Sequence, residues 1–115
     1  DKLDAKDYMV GRLGWISDYP IMDNFLYPLF KTGAGDNFSG YSNPEVDAML
    51  EEARTTTDDE QRFEIYREVE AIIGEATPVI PLMYYRHRHV ASDRVMDGVY
   101  SASGLFDFQN VWLQQ

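Results

Sequence analysis

Residues 42–78 read "SNPEVDAMLEEARTTTDDEQRFEIYREVEAIIGEATP", two amphipathic runs separated by a few polar residues. No other stretch restricts the fold as tightly. Ser42 or Asn43 can cap the first run and Pro44 suits a first helical turn. Val46, Met49, Leu50 and Ala53 then recur at i, i+3, i+4 and i+7, which predicts a helix of about three turns with one apolar stripe. In the second run Thr57 and Glu60 form a capping box. Ile65, Tyr66, Val69, Ile72, Ile73 and Ala76 make a broad apolar side there, while Glu60, Glu64, Arg67, Glu68 and Glu75 fall opposite, facing water. So short a connection favours antiparallel packing, and Pro78 ends the second helix.

The flanking sequence reads differently. Residues 8–16, "YMVGRLGWI", are rich in β-formers and predict a mostly buried strand, with Gly11 and Gly14 where something approaches closely. Met22, Phe25, Leu26 and Leu29 lie at helical spacing, limited to a short or kinked helix by Pro28. Residues 31–43 hold three glycines among turn formers and predict a loop. Residues 79–92 predict a long strand whose early Pro81 favours an edge or a bend. Beyond Asp93 large apolar residues (Val99, Leu105, Phe106, Phe108, Val111, Trp112) occur with no stable period and need a partner surface. The order strand, turn, loop, helix, helix, strand, tail describes an α/β arrangement, a small sheet with helices packed on it.

Acidic residues outnumber basic ones 20 to 10, a net charge of -10. That charge repels phosphate backbones and anionic membrane surfaces, so a nucleic-acid partner is not expected. No apolar run approaches the ~18 residues of a spanning helix. With no cysteine, disulfide frameworks and thiol catalysis are excluded. The chain opens on Asp1 with neither an initiator methionine nor an apolar leader, so a piece cut from a longer protein is expected.

Candidate chemistry is sparse. His87 and His89 point the same way if residues 79–92 form a strand, yet Arg86 and Arg88 flank them and no third metal ligand is evident, so no metal is expected. Paired carboxylates of a glycosidase would have to be Asp18 and Asp23, but Asp23 reads as the N-cap of a short helix at residues 24–30. Asp58, Asp59, Glu51 and Glu52 read as solvated charge. There is no G-x-S-x-G elbow, and the glycines at 33 and 35 do not make a phosphate loop. No motif supports an enzyme. "GWISDYP", residues 14–20, is the remaining candidate. Asp18 stands among Trp15, Tyr19 and Pro20, where it can either receive a cation or cap the following turn. Residue chemistry alone leaves both readings open.

Five motifs in order, "GWISDYP", "NFLYPLF", "GYSNPEVDAMLEEA", "DDEQRFEIYREVEAII" and "TPVIPLMY", resemble the C-terminal part of the large extracytoplasmic solute-binding proteins of ABC importers, the oligopeptide, dipeptide and nickel-binding group. The resemblance implies part of one lobe of a type II periplasmic-binding fold. Residues 1–95 would belong to the C-terminal part of the second large lobe, and residues 96–115 to a tail returning to the first. It implies a protein that captures oligopeptides or dipeptides and delivers them to a membrane permease, without catalysis and without a cofactor. Its place would be extracytoplasmic, in the periplasm or lipid-anchored at the cell surface. Relatives of this kind also bind nickel chelates, haem, opines and oligosaccharides, so another solute is the alternative, ahead of a carbohydrate-active hydrolase fragment. In the peptide binders the aspartate of a W-x-x-D motif holds the ligand's α-ammonium group. The resemblance thus implies that Asp18 is the cation anchor and that Trp15, with Tyr19, walls the cleft. Phe106, Phe108 and Trp112 would then lie on an exposed lobe-facing surface through which the fragment self-associates.

Overall fold

Helix boundaries follow from which side chains can reach free backbone amides. The computed structural model describes residues 5, 7–86, 88–101 and 104–115. Helix α1 (Asp23–Phe30) runs through Pro28 to Phe30, and its first position follows Met22, which gives no side-chain cap. Helix α2 (Pro44–Thr55) is capped by Asn43, whose Oδ1 accepts from the amides of Glu45 at 2.9 Å and Val46 at 3.4 Å. Of the two expected caps, Asn43 is the one used. Helix α3 (Asp59–Ala76) starts at a cap different from the expected Thr57. The Asp58 carboxylate accepts from the Gln61 amide at 2.8 Å, and a charged acceptor also complements the positive end of the helix dipole.

The predicted apolar stripes meet one another. Leu26 of α1, Val46, Leu50 and Ala53 of α2, and Ile65, Tyr66, Val69 and Ile73 of α3 form the buried core, with Met49 and Ile72 half-buried at its edge. Ala76 remains exposed. The connection from α1 to α2 is pinned by the buried Asn37. Its Nδ2 donates to the carbonyls of Lys31 at 3.0 Å and Tyr41 at 2.7 Å, while its Oδ1 accepts from Ser39 at 2.9 Å. Gly33, at φ 76°, supplies a left-handed turn in this loop.

Residues 8–16 form no strand, contrary to the sequence expectation. Met9 and Val10 are exposed. A strand is held by hydrogen bonds to a second strand, and among the described residues none runs beside this segment. The Tyr8 hydroxyl donates to the Phe38 carbonyl, a side-chain tether rather than a ladder.

The chain divides into two compact units between Ile80 and Pro81. The described residues of 79–92 again lack the strand expected of them. The strands lie further on: β1 (Val95–Met96), β2 (Val99–Tyr100), β3 (Phe106–Asp107) and β4 (Trp112–Leu113). β1 pairs antiparallel with β4, Val95 opposite Leu113, and β2 pairs with β3, Tyr100 opposite Phe106. The two short ladders are thus nested in one interrupted hairpin. At the interruption Asp97 accepts from the Trp112 indole at 2.7 Å. Gly98 lets the Phe106 ring approach, since a Cβ there would meet a ring carbon at 2.8 Å. The rings of His89 and Tyr100 stack at 3.5 Å, and Phe106 continues the row at 4.8 Å from Tyr100. The expected α/β character holds, three helices with small antiparallel sheets, but the strands occupy the region read as an aperiodic tail.

Candidate functional site

The site is organised by the start of α1, where Asp23 and Asn24 turn inward, 4% and 5% exposed. Asp23, Leu26 and Phe30 stand at i, i+3 and i+7, so an acid sits on the stripe that faces the core. It is balanced there by Arg54 of α2. The guanidinium donates through Nε to Asp23 Oδ1 at 2.9 Å and through Nη2 to Oδ2 at 3.0 Å. The Tyr19 hydroxyl donates to Oδ2 at 3.1 Å and the Tyr66 hydroxyl to Oδ1 at 3.4 Å. Four donors on one buried carboxylate leave it satisfied and join the loop before α1 to both other helices. Arg54 also lies over the Tyr27 ring, 3.5 Å from its centroid. The hydrogen bond to Asp23 holds the Arg54 guanidinium even further from deprotonation than usual.

Asp23 is therefore not the N-cap expected from sequence; its carboxylate is committed to Arg54. This also removes it as the second acid of a hydrolase. Asn24 opens the "NFLYPLF" motif, but nothing in the sequence marks it or Arg54 for these roles.

Asn24 connects the same helix to the candidate loop. Its Oδ1 accepts from Trp15 Nε1 at 3.1 Å and from the Asp18 amide at 3.0 Å. The sequence-predicted trio is thus brought together: Trp15 half-buried and held by Asn24, Asp18 held through its backbone, and Tyr19 held through its hydroxyl by Asp23. Asp18 is exposed, and its carboxylate accepts no hydrogen bond from the described residues. The amide that begins the next turn, Ile21, bonds instead to the Tyr19 carbonyl at 2.9 Å. An exposed carboxylate on a loop whose backbone is held in this way can take a charge-assisted hydrogen bond from a ligand cation.

A shallow groove of about 470 Å³ lies just beyond, lined by Ile21, Met22, Phe25, Phe63 and Tyr66 among others. Asp18 does not line it. Of the expected His87 and His89 pairing, His87 lies outside the described residues, and the ring of His89 stacks on Tyr100. Among the described residues, no three potential metal ligands come together and no helix is long and apolar enough to cross a membrane.

No family model matches the chain. Individual relatives do. An oligopeptide-binding protein of Bacillus subtilis is 31% identical over 114 residues, which are 99% of this chain and 21% of the relative. A dipeptide-binding protein of the same organism is 26% identical over 105 residues, 91% of this chain and 19% of the relative. A haem-binding protein of Haemophilus influenzae is 33% identical over 103 residues, 88% of this chain and 19% of the relative. The chain spans about a fifth of the length of the curated relatives it matches. These relatives are named as binding proteins and not as enzymes.

Proposed function

This chain belongs to the oligopeptide- and dipeptide-binding family of solute-binding proteins, and on that premise we propose that the intact protein captures peptides outside the cytoplasmic membrane and delivers them to the permease of an ABC importer. The observation that carries the reading is the likeness to an oligopeptide-binding protein across 99% of the chain. The Asp18 carboxylate binds the α-ammonium group of the peptide, with Trp15 and the ring of Tyr19 excluding water beside it. A desolvated ammonium and carboxylate pair fixes the register of a peptide, while main-chain hydrogen bonds to its remainder admit varied side chains. Residues 96–115 return toward the other lobe, whose closure completes the cleft.

The test is calorimetry on the full-length protein. Asp18→Asn weakens the binding of an amine-bearing peptide by about 2–5 kcal/mol, the cost of stripping one partner from an enclosed charge pair. An unchanged affinity eliminates the anchor. A second reading is favoured by the haem-binding relative at 33% identity: a different solute in the same cleft. A thermal-shift screen against short peptides, sugars, nickel chelates and haem separates the two, because only the cognate class raises the melting point by mass action.

A further inference from the structure

We propose that Asn24 is a positioning residue for ligand capture: its buried side-chain oxygen holds the Asp18 backbone and the Trp15 indole together and so aims the Asp18 carboxylate. The inference rests on the reading of Asp18 as amine anchor, and identifies what sets that anchor's direction.

Residues 15–18 belong to no helix and no ladder, so side-chain contacts must define their path. Asn24 provides two of them from one atom. Its Oδ1 accepts from Trp15 Nε1 at 3.1 Å and from the Asp18 amide at 3.0 Å, using both lone pairs of the carbonyl. Because both partners are obligate donors, the orientation of the amide group is fixed by chemistry: the NH2 group cannot serve at that position. The two donors are three residues apart, so one acceptor closes the segment into a ring against α1. That helix is itself fixed, since Leu26 is in the core and Asp23, the neighbour of Asn24, is held by Arg54. Rigidity thus passes from the helical core to Asn24 and on to the ligand loop.

A loop ordered before the ligand arrives need not be ordered at its expense, so the affinity of Asp18 for a cation depends on this bond pair. No residue near Asn24 in sequence duplicates it: Tyr19 is tethered separately, to Asp23 at 3.1 Å.

A mutant cycle on the full-length protein tests the assignment, with calorimetry of trialanine and of its N-acetylated form. Asn24→Ala, and Asn24→Ser as a second variant that still offers a small polar group, each weaken trialanine binding about tenfold, the order expected for losing buried hydrogen bonds. In an Asp18→Asn background the same changes cost less than about twofold, because the group they aim is already gone. The Trp15 indole N–H resonance should also lose its hydrogen-bonded shift in both variants. Equal losses in the two backgrounds overturn the inference, since a residue that merely supports the fold weakens both alike. Unchanged affinity in Asn24→Ala and Asn24→Ser overturns it too. If Asp18→Asn alone leaves trialanine affinity unchanged, the amine-anchor reading fails first and takes this inference with it, a result obtained without altering Asn24.

Discussion

The three helices and the segment from Pro81 to Gln115 handle apolar side chains in opposite ways. In the helices, Val46, Leu50 and Val69 are completely enclosed. After Pro81, Leu82 is 71% exposed, Tyr84 fully so, and among the described residues every ladder is two residues long. A helix satisfies its own backbone and needs only one complementary face, which α2 and α3 find in each other across a three-residue connection. An extended segment satisfies nothing alone; both its hydrogen bonds and its apolar face require a neighbour that can lie far off in sequence. The harshest test of this contrast exchanges like for like. Leu50→Ala destabilises by about 3 kcal/mol, through lost burial and a residual cavity. Leu82→Ala costs less than about 0.5 kcal/mol. Chemical unfolding followed by the helical circular-dichroism signal measures both, and comparable losses break the comparison.

A second contrast lies within the helical region, between ion pairs. Asp23 is buried beneath Arg54, whose side chain is 40% exposed, whereas Arg67 and Glu64 on α3 pair at 3.1 Å with both partners in solvent. Asp23→Ala leaves the Tyr66 hydroxyl without its acceptor in the core and deprives Arg54 of its counter-charge. The expected loss is about 2 kcal/mol, below the range for fully buried pairs because water still reaches the guanidinium. Glu64→Ala should cost less than about 0.5 kcal/mol. The same unfolding measurement ranks them; a Glu64 effect as large as that of Asp23 would mean that burial does not decide.

The line between what was legible and what was not follows the same physics. Caps, a 3.6-residue period and a terminating proline are local signals, and they placed α2 and α3 to within the choice of Asp58 over Thr57. Residues 8–16 and 79–92 carry the composition of strands, and composition states a preference that only a partner can satisfy. The hairpin of residues 95–113 was missed for the converse reason: two-residue ladders, interrupted at Asp97 and Gly98, are too short to impose a period. At the site, "GWISDYP" drew attention through its own residues, while its supports did not. Arg54 is 31 residues from Asp23. Asn24 looks like any polar residue in a first helical turn until its two donors are seen.

The smallest expected effect concerns proton binding by two phenols of the helical region. Burial, and next the negative charge of Asp23, raise the Tyr66 hydroxyl above its ordinary value of 10.0. The Tyr27 hydroxyl is raised as well, first by its hydrogen bond to Glu51 at 2.9 Å. In the folded chain both phenols therefore hold their protons to higher pH than in the unfolded chain. The stability they contribute is fully present below the unfolded value and is lost as pH rises through the folded one, since the unfolded state then sheds protons that the folded state retains. The unfolding midpoint should accordingly fall between about pH 9 and about pH 11. Tyr66→Phe keeps the ring in the core and removes the titrating group, so its midpoint should fall less over that interval. A Tyr66→Phe midpoint that falls as steeply as that of the unsubstituted chain would show that enclosure of this phenol by the helices is not the cause.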